Sequence, residues 1–243
     1  MRRELTAATA IVTGASSGIG RAIAMRLAGE GVRLGLVSRC ASRIRGVTDN
    51  WPIGAPPAVP LVADLADDTG IARLVDAIDA QLGAVHLLVH GAGAITLGRF
   101  ADLPVESLDE QYRLNVRAPF VLTQRLLPSI VRSRGQIVFV NSSAGLAARA
   151  GVSQYAACKH ALKAIADSLC EEVRADGVRV ISVFPGRTAT PMQERVRRME
   201  GRLFDPDRCL QPDDVASAVI HALTLPDTAA IKDISIRPMC EGA

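Results

Sequence analysis

Residues 13–21 read T-G-A-S-S-G-I-G-R and follow the apolar run A-T-A-I-V-T of residues 8–13. Gly14, Gly18 and Gly20 allow a tight turn and a close approach of backbone to a ligand. If a helix starts at Ile19, its free N–H groups and positive dipole end face whatever the turn holds, and a pyrophosphate suits both. Ser16 and Ser17 add hydroxyl donors. No G-K-[S/T] follows, so the turn is not a P-loop. Taken alone it is also compatible with an ordinary glycine-rich strand-to-helix turn.

Working outward from this turn, short apolar runs alternate with longer amphipathic stretches. Strands are expected at 8–13, 32–38, 58–62, 85–90, 136–141, 178–184 and 231–237, and helices at 19–29, 67–82, 105–132, 153–175 and 213–225. Such alternation predicts an α/β fold of Rossmann type, a doubly wound parallel seven-stranded sheet with helices on both faces. Its ligand crevice lies at the carboxyl ends of the strands. The Pro- and Gly-rich stretch D-N-W-P-I-G-A-P-P-A (49–58) reads as a surface loop between the second helix and the third strand. Segment 187–212 shows no clear period and is expected to act as a substrate lid.

The bulk properties narrow the class. A chain of 243 residues with 49% apolar content suits one domain, here 1–243, with a core of aliphatic side chains. A net charge of +3 without a Lys/Arg tract gives no warrant for nucleic acid. No apolar run reaches the length of a membrane span. The N-terminal M-R-R-E-L-T-A-A-T-A-I-V-T-G reads as the first strand and not as a signal peptide. Cys40, Cys158, Cys170, Cys209 and Cys240 are odd in number and form no C-x-x-C pair. They predict a reduced, cytoplasmic location and no metal site. His86 and His90 lie on one side of an expected strand, about 13 Å apart, too far to share a metal. Structural roles are expected for both.

About twenty residues beyond Gly18, the second strand ends in Val37-Ser38-Arg39. A carboxylate there would bind the ribose 2′-hydroxyl of NAD. A guanidinium instead suits a 2′-phosphate, so NADP(H) is expected ahead of NAD(H). Further along, Y-A-A-C-K (155–159) places Tyr155 and Lys159 at i and i+4, on one face of a helix.

The glycine turn and the Tyr155-x-x-x-Lys159 pair together resemble the short-chain dehydrogenase/reductase family, in its single-domain branch, over nearly the whole chain. Other landmarks fall in the family's order. In A-D-L (63–65), Asp64 matches an adenine-contacting aspartate, with Leu65 beside it. N-V-R-A-P-F (115–120) places Asn115 at the catalytic asparagine, implied to hold a water that links Lys159 to solvent. P-G-R-T-A-T-P-M (185–192) matches a nicotinamide-facing segment with Pro185, Gly186, Thr188 and Thr190. His90-Gly91-Ala92-Gly93 stands where the family often has N-N-A-G; the cofactor-lining backbone is kept and one side-chain amide is lost. In N-S-S-A-G (141–145), Ser142 precedes Tyr155 by thirteen residues and the glycine by three, as in the family. Ser143 matches neither spacing and remains the second choice. Cys158, where a serine is frequent, reads as a small core residue.

The chemistry implied is interconversion of a carbonyl and a secondary alcohol. The catalytic set is Asn115, Ser142, Tyr155 and Lys159. Gly14, Ser16, Ser17, Gly18, Ile19, Gly20, Ser38, Arg39, Asp64, Leu65, Gly91, Ala92, Gly93, Tyr155, Lys159, Pro185, Gly186, Thr188 and Thr190 are expected to bind the cofactor. A charge about 5 Å from the phenol is worth roughly 3 kcal/mol at an effective dielectric of about 20. That is about two pKa units of acidification, before the opposing cost of burial. A homodimer or homotetramer packed through the long helices is implied by the resemblance. Arg187, Arg195, Arg197, Arg198 and Arg202 read either as a solvated helix face or as recognition of an anionic substrate. A nucleotide sensor without turnover is the alternative reading, though a sensor needs no proton donor. A Rossmann-type methyltransferase would leave the Tyr155–Lys159 pair unexplained.

Overall fold

The computed structural model describes residues 3–239. Cys240 and the ends of the expected 1–243 domain therefore lie outside the described residues. The strands are β1 (Thr9–Thr13), β2 (Arg33–Ser38), β3 (Val59–Val62), β4 (Leu87–His90), β5 (Gln136–Val140), β6 (Arg179–Pro185) and β7 (Asp233–Ile236). They form one parallel sheet in the order β3-β2-β1-β4-β5-β6-β7. The order reverses between β1 and β4, whose ends pair at Thr13 and His90. A crevice opens at such a reversal because the connections on either side leave toward opposite faces.

The helices are α1 (Gly18–Gly29), α2 (Ala41–Thr48), α3 (Asp68–Gln81), α4 (Val105–Tyr112), α5 (Ala118–Arg132), α6 (Ser153–Val173), α7 (Pro191–Met199) and α8 (Pro212–Leu223). β1, β4, β5 and β6 are buried along their whole length, which is why they read as continuous apolar runs. Alternate side chains go to opposite layers. Ala10 and Val12 pack with Ile23 and Leu27 of α1 and Val215 and Val219 of α8. Ile11, between them, packs with Leu74 of α3, Leu122 of α5 and Leu162 of α6. Trp51, in the 49–58 loop, rests on the first layer and donates through Nε1 to the Pro56 carbonyl at 2.9 Å.

Two stretches differ from the expected pattern. The helix expected over 105–132 is interrupted by a π turn at Arg113–Arg117. Pro119 has no N–H to give the Asn115 carbonyl, so the i→i−4 ladder cannot pass that point unbroken. Segment 187–212, aperiodic in sequence, contains α7, which starts with Thr190 as N-cap accepting from Gln193 N at 3.1 Å and Pro191 in the first turn. Its charged residues mask the helical period, because only Val196 and Arg197 are buried.

Candidate active site

A cleft of about 550 Å³ runs along the carboxyl ends of the strands. Its floor is the turn from β1 into α1, where Gly14, Ser16, Ser17, Gly18, Ile19 and Gly20 all line it. Ser17 is the N-cap of α1 in an extended conformation, and its side chain makes no capping bond. Its hydroxyl and the first N–H groups of the helix thus remain open to an anion. Gly14 has φ +66°, and a Cβ there would lie 2.6 Å from the Gly91 carbonyl carbon and oxygen. The turn after β1 and the turn after β4 are pressed together, and Gly14 is what lets them meet.

The same contact explains the departure at residues 90–93. A Cβ on Gly91 would lie 2.7 Å from the Thr13 carbonyl oxygen. The missing side-chain amide is matched by Thr13, whose hydroxyl donates to Val89 O at 3.3 Å and accepts from Gly91 N at 3.1 Å and Ala92 N at 3.2 Å. Gly91, Ala92 and Gly93 line the cleft. His90 points away from it, bonded to the Thr123 hydroxyl at 2.8 Å and stacked on Phe139 at 4.9 Å. Burial pushes its pKa down to about 3, so it stays neutral. His86, just before β4, accepts from Thr9 N at 3.1 Å. Both histidines serve the sheet.

At one end of the cleft stand Ser38 and Arg39, joined by Cys40 and Arg43 from the start of α2. Arg43 had no signal in the sequence beyond its place one turn into α2. Leu65 lines the cleft and Asp64 does not; the Asp64 carboxylate accepts from Ala66 N at 3.0 Å and shapes the turn after β3. Pro185, Gly186, Thr188 and Thr190 form the wall after β6. The hydroxyls of both threonines are engaged, Thr188 donating to Gly186 O at 3.1 Å and Thr190 capping α7.

Ser142, Tyr155 and Lys159 meet at the other end of the cleft. Ser142 accepts from Ala144 N at 3.1 Å and is also hydrogen-bonded to the Tyr155 phenol. Ser143, which also lines the cleft, starts the short 3₁₀ turn Ser143–Gly145. Tyr155 packs with Ala144, Ala156, Ile95 and Val152. The Lys159 ammonium donates to Val140 O at 3.1 Å and lies 5.7 Å from the centre of the Tyr155 ring. Asn141 sets this geometry: its amide donates to Lys159 O at 3.1 Å and accepts from Ser142 N at 2.8 Å. It stands first in N-S-S-A-G, and spacing alone gave no reason to single it out. Cys158 is buried, and burial pushes its thiol up.

The electrostatics depart from the sequence-level expectation. Burial pushes the Tyr155 phenol up to about 12, against the lowering effect of the Ser142 hydrogen bond. Burial likewise brings the Lys159 ammonium down to about 8. Both groups are buried, and desolvation penalises the charged form of each. Asn115 also differs. It is buried in the π turn, donates to Ala94 O at 2.8 Å and accepts from Ala94 N at 2.9 Å. Its amide, expected to hold a water, is instead clamped on the loop after β4, and it does not line the cleft.

Glu200, at the end of α7, is the single acidic residue among the described residues lining the cleft. Arg187 grips it bidentately at 2.8 and 3.0 Å, and Arg197 adds a bond at 3.2 Å. Burial alone raises the Glu200 carboxyl, and the two guanidinia outweigh it, leaving the group below its ordinary range. Its contribution to stability is therefore present above the unfolded pKa of about 4.3 and is lost as pH falls through the lower folded value. Glu200→Gln is expected to cost about 1–2 kcal/mol at neutral pH. Thermal melts should show the gap from wild type closing below about pH 4; a gap independent of pH would remove the ion pair as its cause.

Comparison with known proteins agrees with this architecture. The family model described as short chain dehydrogenase matches residues 8–201. An uncharacterized oxidoreductase of Staphylococcus epidermidis is 32% identical over 231 residues, covering 95% of this chain and 96% of its own. A short-chain type dehydrogenase/reductase from Mycobacterium marinum shares the fold at a TM-score of 0.87 and 24% identity, over 96% of this chain and 95% of its own. A metagenomic short-chain oxidoreductase solved in complex with NADP superposes at a TM-score of 0.84 with 29% identity, over 98% of this chain and all of its own. The chain belongs to the short-chain dehydrogenase family and is an oxidoreductase of that class. No helix among the described residues is long and apolar enough to cross a membrane.

Proposed function

We propose that the protein is an NADP(H)-dependent oxidoreductase that interconverts a carbonyl and a secondary alcohol, with Tyr155 as the proton donor and acceptor. One observation carries this reading: Ser142, Tyr155 and Lys159 converge in the cleft whose floor is the open N-terminus of α1. The residues present fit a nicotinamide dinucleotide. Ser17 and the α1 N–H groups suit its pyrophosphate, Arg39 and Arg43 its 2′-phosphate, and the wall from Pro185 to Thr190 its nicotinamide end. When bound, that cofactor supplies the hydride.

Ser142 orients the substrate oxygen toward Tyr155. The phenol, held protonated by burial, donates its proton as the oxygen gains negative charge. Lys159 supports the phenolate that forms, and the charge it brings matters most at that moment. Asn115 acts as a positioning residue, holding the loop after β4 at Ala94. The chain would work as one domain. Copies would pack through α4, α5 and α6; Val105 and Tyr112 on α4 and Phe120 on α5 leave apolar surface exposed, and sedimentation velocity gives the stoichiometry.

The test is the loss of NADPH absorbance with a panel of ketones and aldehydes. A protein that binds NADPH and reduces none of them would be a sensor instead. For cofactor choice, Arg39→Glu should raise the KM for NADPH about tenfold or more, from loss of a charge-assisted phosphate contact. The KM for NADH should change far less. Equal effects on both would remove Arg39 from the discrimination.

A further inference from the structure

The arginines of segment 187–202 are not equivalent once folded. Arg187 and Arg197 are bound to Glu200, and Arg198 lies 3.6 Å from Glu194. Arg202 does not line the cleft. Arg195 does, and so does Arg149, which the sequence offered no reason to notice. The two come from different parts of the fold, α7 and the segment between β5 and α6. Both are exposed, and neither guanidinium makes a hydrogen bond or ion pair among the described residues. They share the cleft with Tyr155 and come from segments that follow β5 and β6, whereas the cations that suit the cofactor follow β2. Next to Tyr155 the wall is apolar, formed by Ile95 and Val152.

Two unpaired guanidinia facing one concavity, with the Glu200 carboxylate already neutralised, create a positive field that a neutral substrate would not use. We propose that the substrate is an anionic carbonyl compound with an aliphatic body. Arg149 and Arg195 hold its carboxylate or phosphate at the mouth while its carbonyl reaches Tyr155. This deepens the carbonyl-reductase reading and rests on it. Arginine suits the task because its planar fork meets both kinds of anion bidentately.

The test uses the full-length protein with NADPH and matched pairs: oxo carboxylates with the ketone alpha, beta or gamma to the acid, each beside its methyl ester, and dihydroxyacetone phosphate beside dihydroxyacetone. The anionic member of at least one pair should show a kcat/KM about tenfold higher or more, and the advantage should shrink as potassium chloride is added. Which pair shows it separates a carboxylate from a phosphate. In R149Q/R195Q the anion-to-neutral ratio should fall about tenfold, whereas R149K/R195K should retain part of it. Melting temperature and NADPH affinity check that the variants are folded. Neutral members used as well as anionic ones, or a ratio unmoved in R149Q/R195Q, would overturn the proposal while leaving carbonyl reduction intact. NADPH bound with no pair reduced would overturn the underlying reading, and this proposal with it.

Discussion

If the proposed function holds, Tyr155→Phe is expected to lower carbonyl reduction by about a thousandfold, the range typical for loss of a positioned general acid. The ring remains, so the packing with Ala144, Ile95 and Val152 is kept and the fold around it changes little. What goes is the one hydroxyl that is both buried beside Lys159 and bonded to Ser142. Because burial pushes that phenol up to about 12, it carries its proton across the whole physiological range. It is thus ready as an acid, beside the Lys159 ammonium, which is bonded to Val140 O. NADPH affinity, measured by fluorescence titration, should stay within about twofold, since the phenol adds at most one hydrogen bond to the cofactor. A variant that turns over at the wild-type rate would defeat the assignment of Tyr155. Lost turnover together with lost NADPH binding would point to a collapsed site instead.

The second large effect is on the turn itself. Gly14→Ala is expected to destabilise the protein by about 2–4 kcal/mol, combining a left-handed backbone with a forced overlap. In a chain of this size that is a fall in Tm of roughly 5–15 °C. The added methyl would meet main-chain atoms of Gly91 and Ala92 at 2.6–2.7 Å, and main chain cannot rotate aside. The turns after β1 and β4 would have to separate, which also opens the floor on which the cofactor is expected to lie. Gly18→Ala is the control. Its φ of +55° is also left-handed, but its nearest neighbour is the Thr190 methyl at 3.0 Å, a side-chain atom that can shift. Its stability cost should be nearer to about 1 kcal/mol. If the two variants melt together, the contact between the two turns is not what Gly14 serves.

Legibility in the sequence followed the range of the interaction. Strands buried on both faces leave apolar runs, and all seven strands sit within two residues of the expected bounds at both ends; helix starts are marked by caps such as Asp67, which accepts from Gly70 N at 2.9 Å. These are local signals, carried by neighbours in the chain. The π turn was hidden because a single proline in an otherwise helical pattern does not say whether the helix ends or bulges. Arg43, Asn141 and Arg149 were hidden because each earns its place through a partner or a cavity supplied by distant elements.

By itself the sequence determined the parallel α/β sheet, the glycine turn at its switch point, and the common helical face of Tyr155 and Lys159. All of these depend on periodicity and on residue-level conformational freedom. Only the tertiary structure decided how deeply the phenol is buried, and burial is the largest influence on its proton affinity. It alone paired Arg187 and Arg197 with Glu200 and left Arg149 and Arg195 facing the cleft. Desolvation and charge pairing depend on what surrounds a group in space, and chain order does not record that.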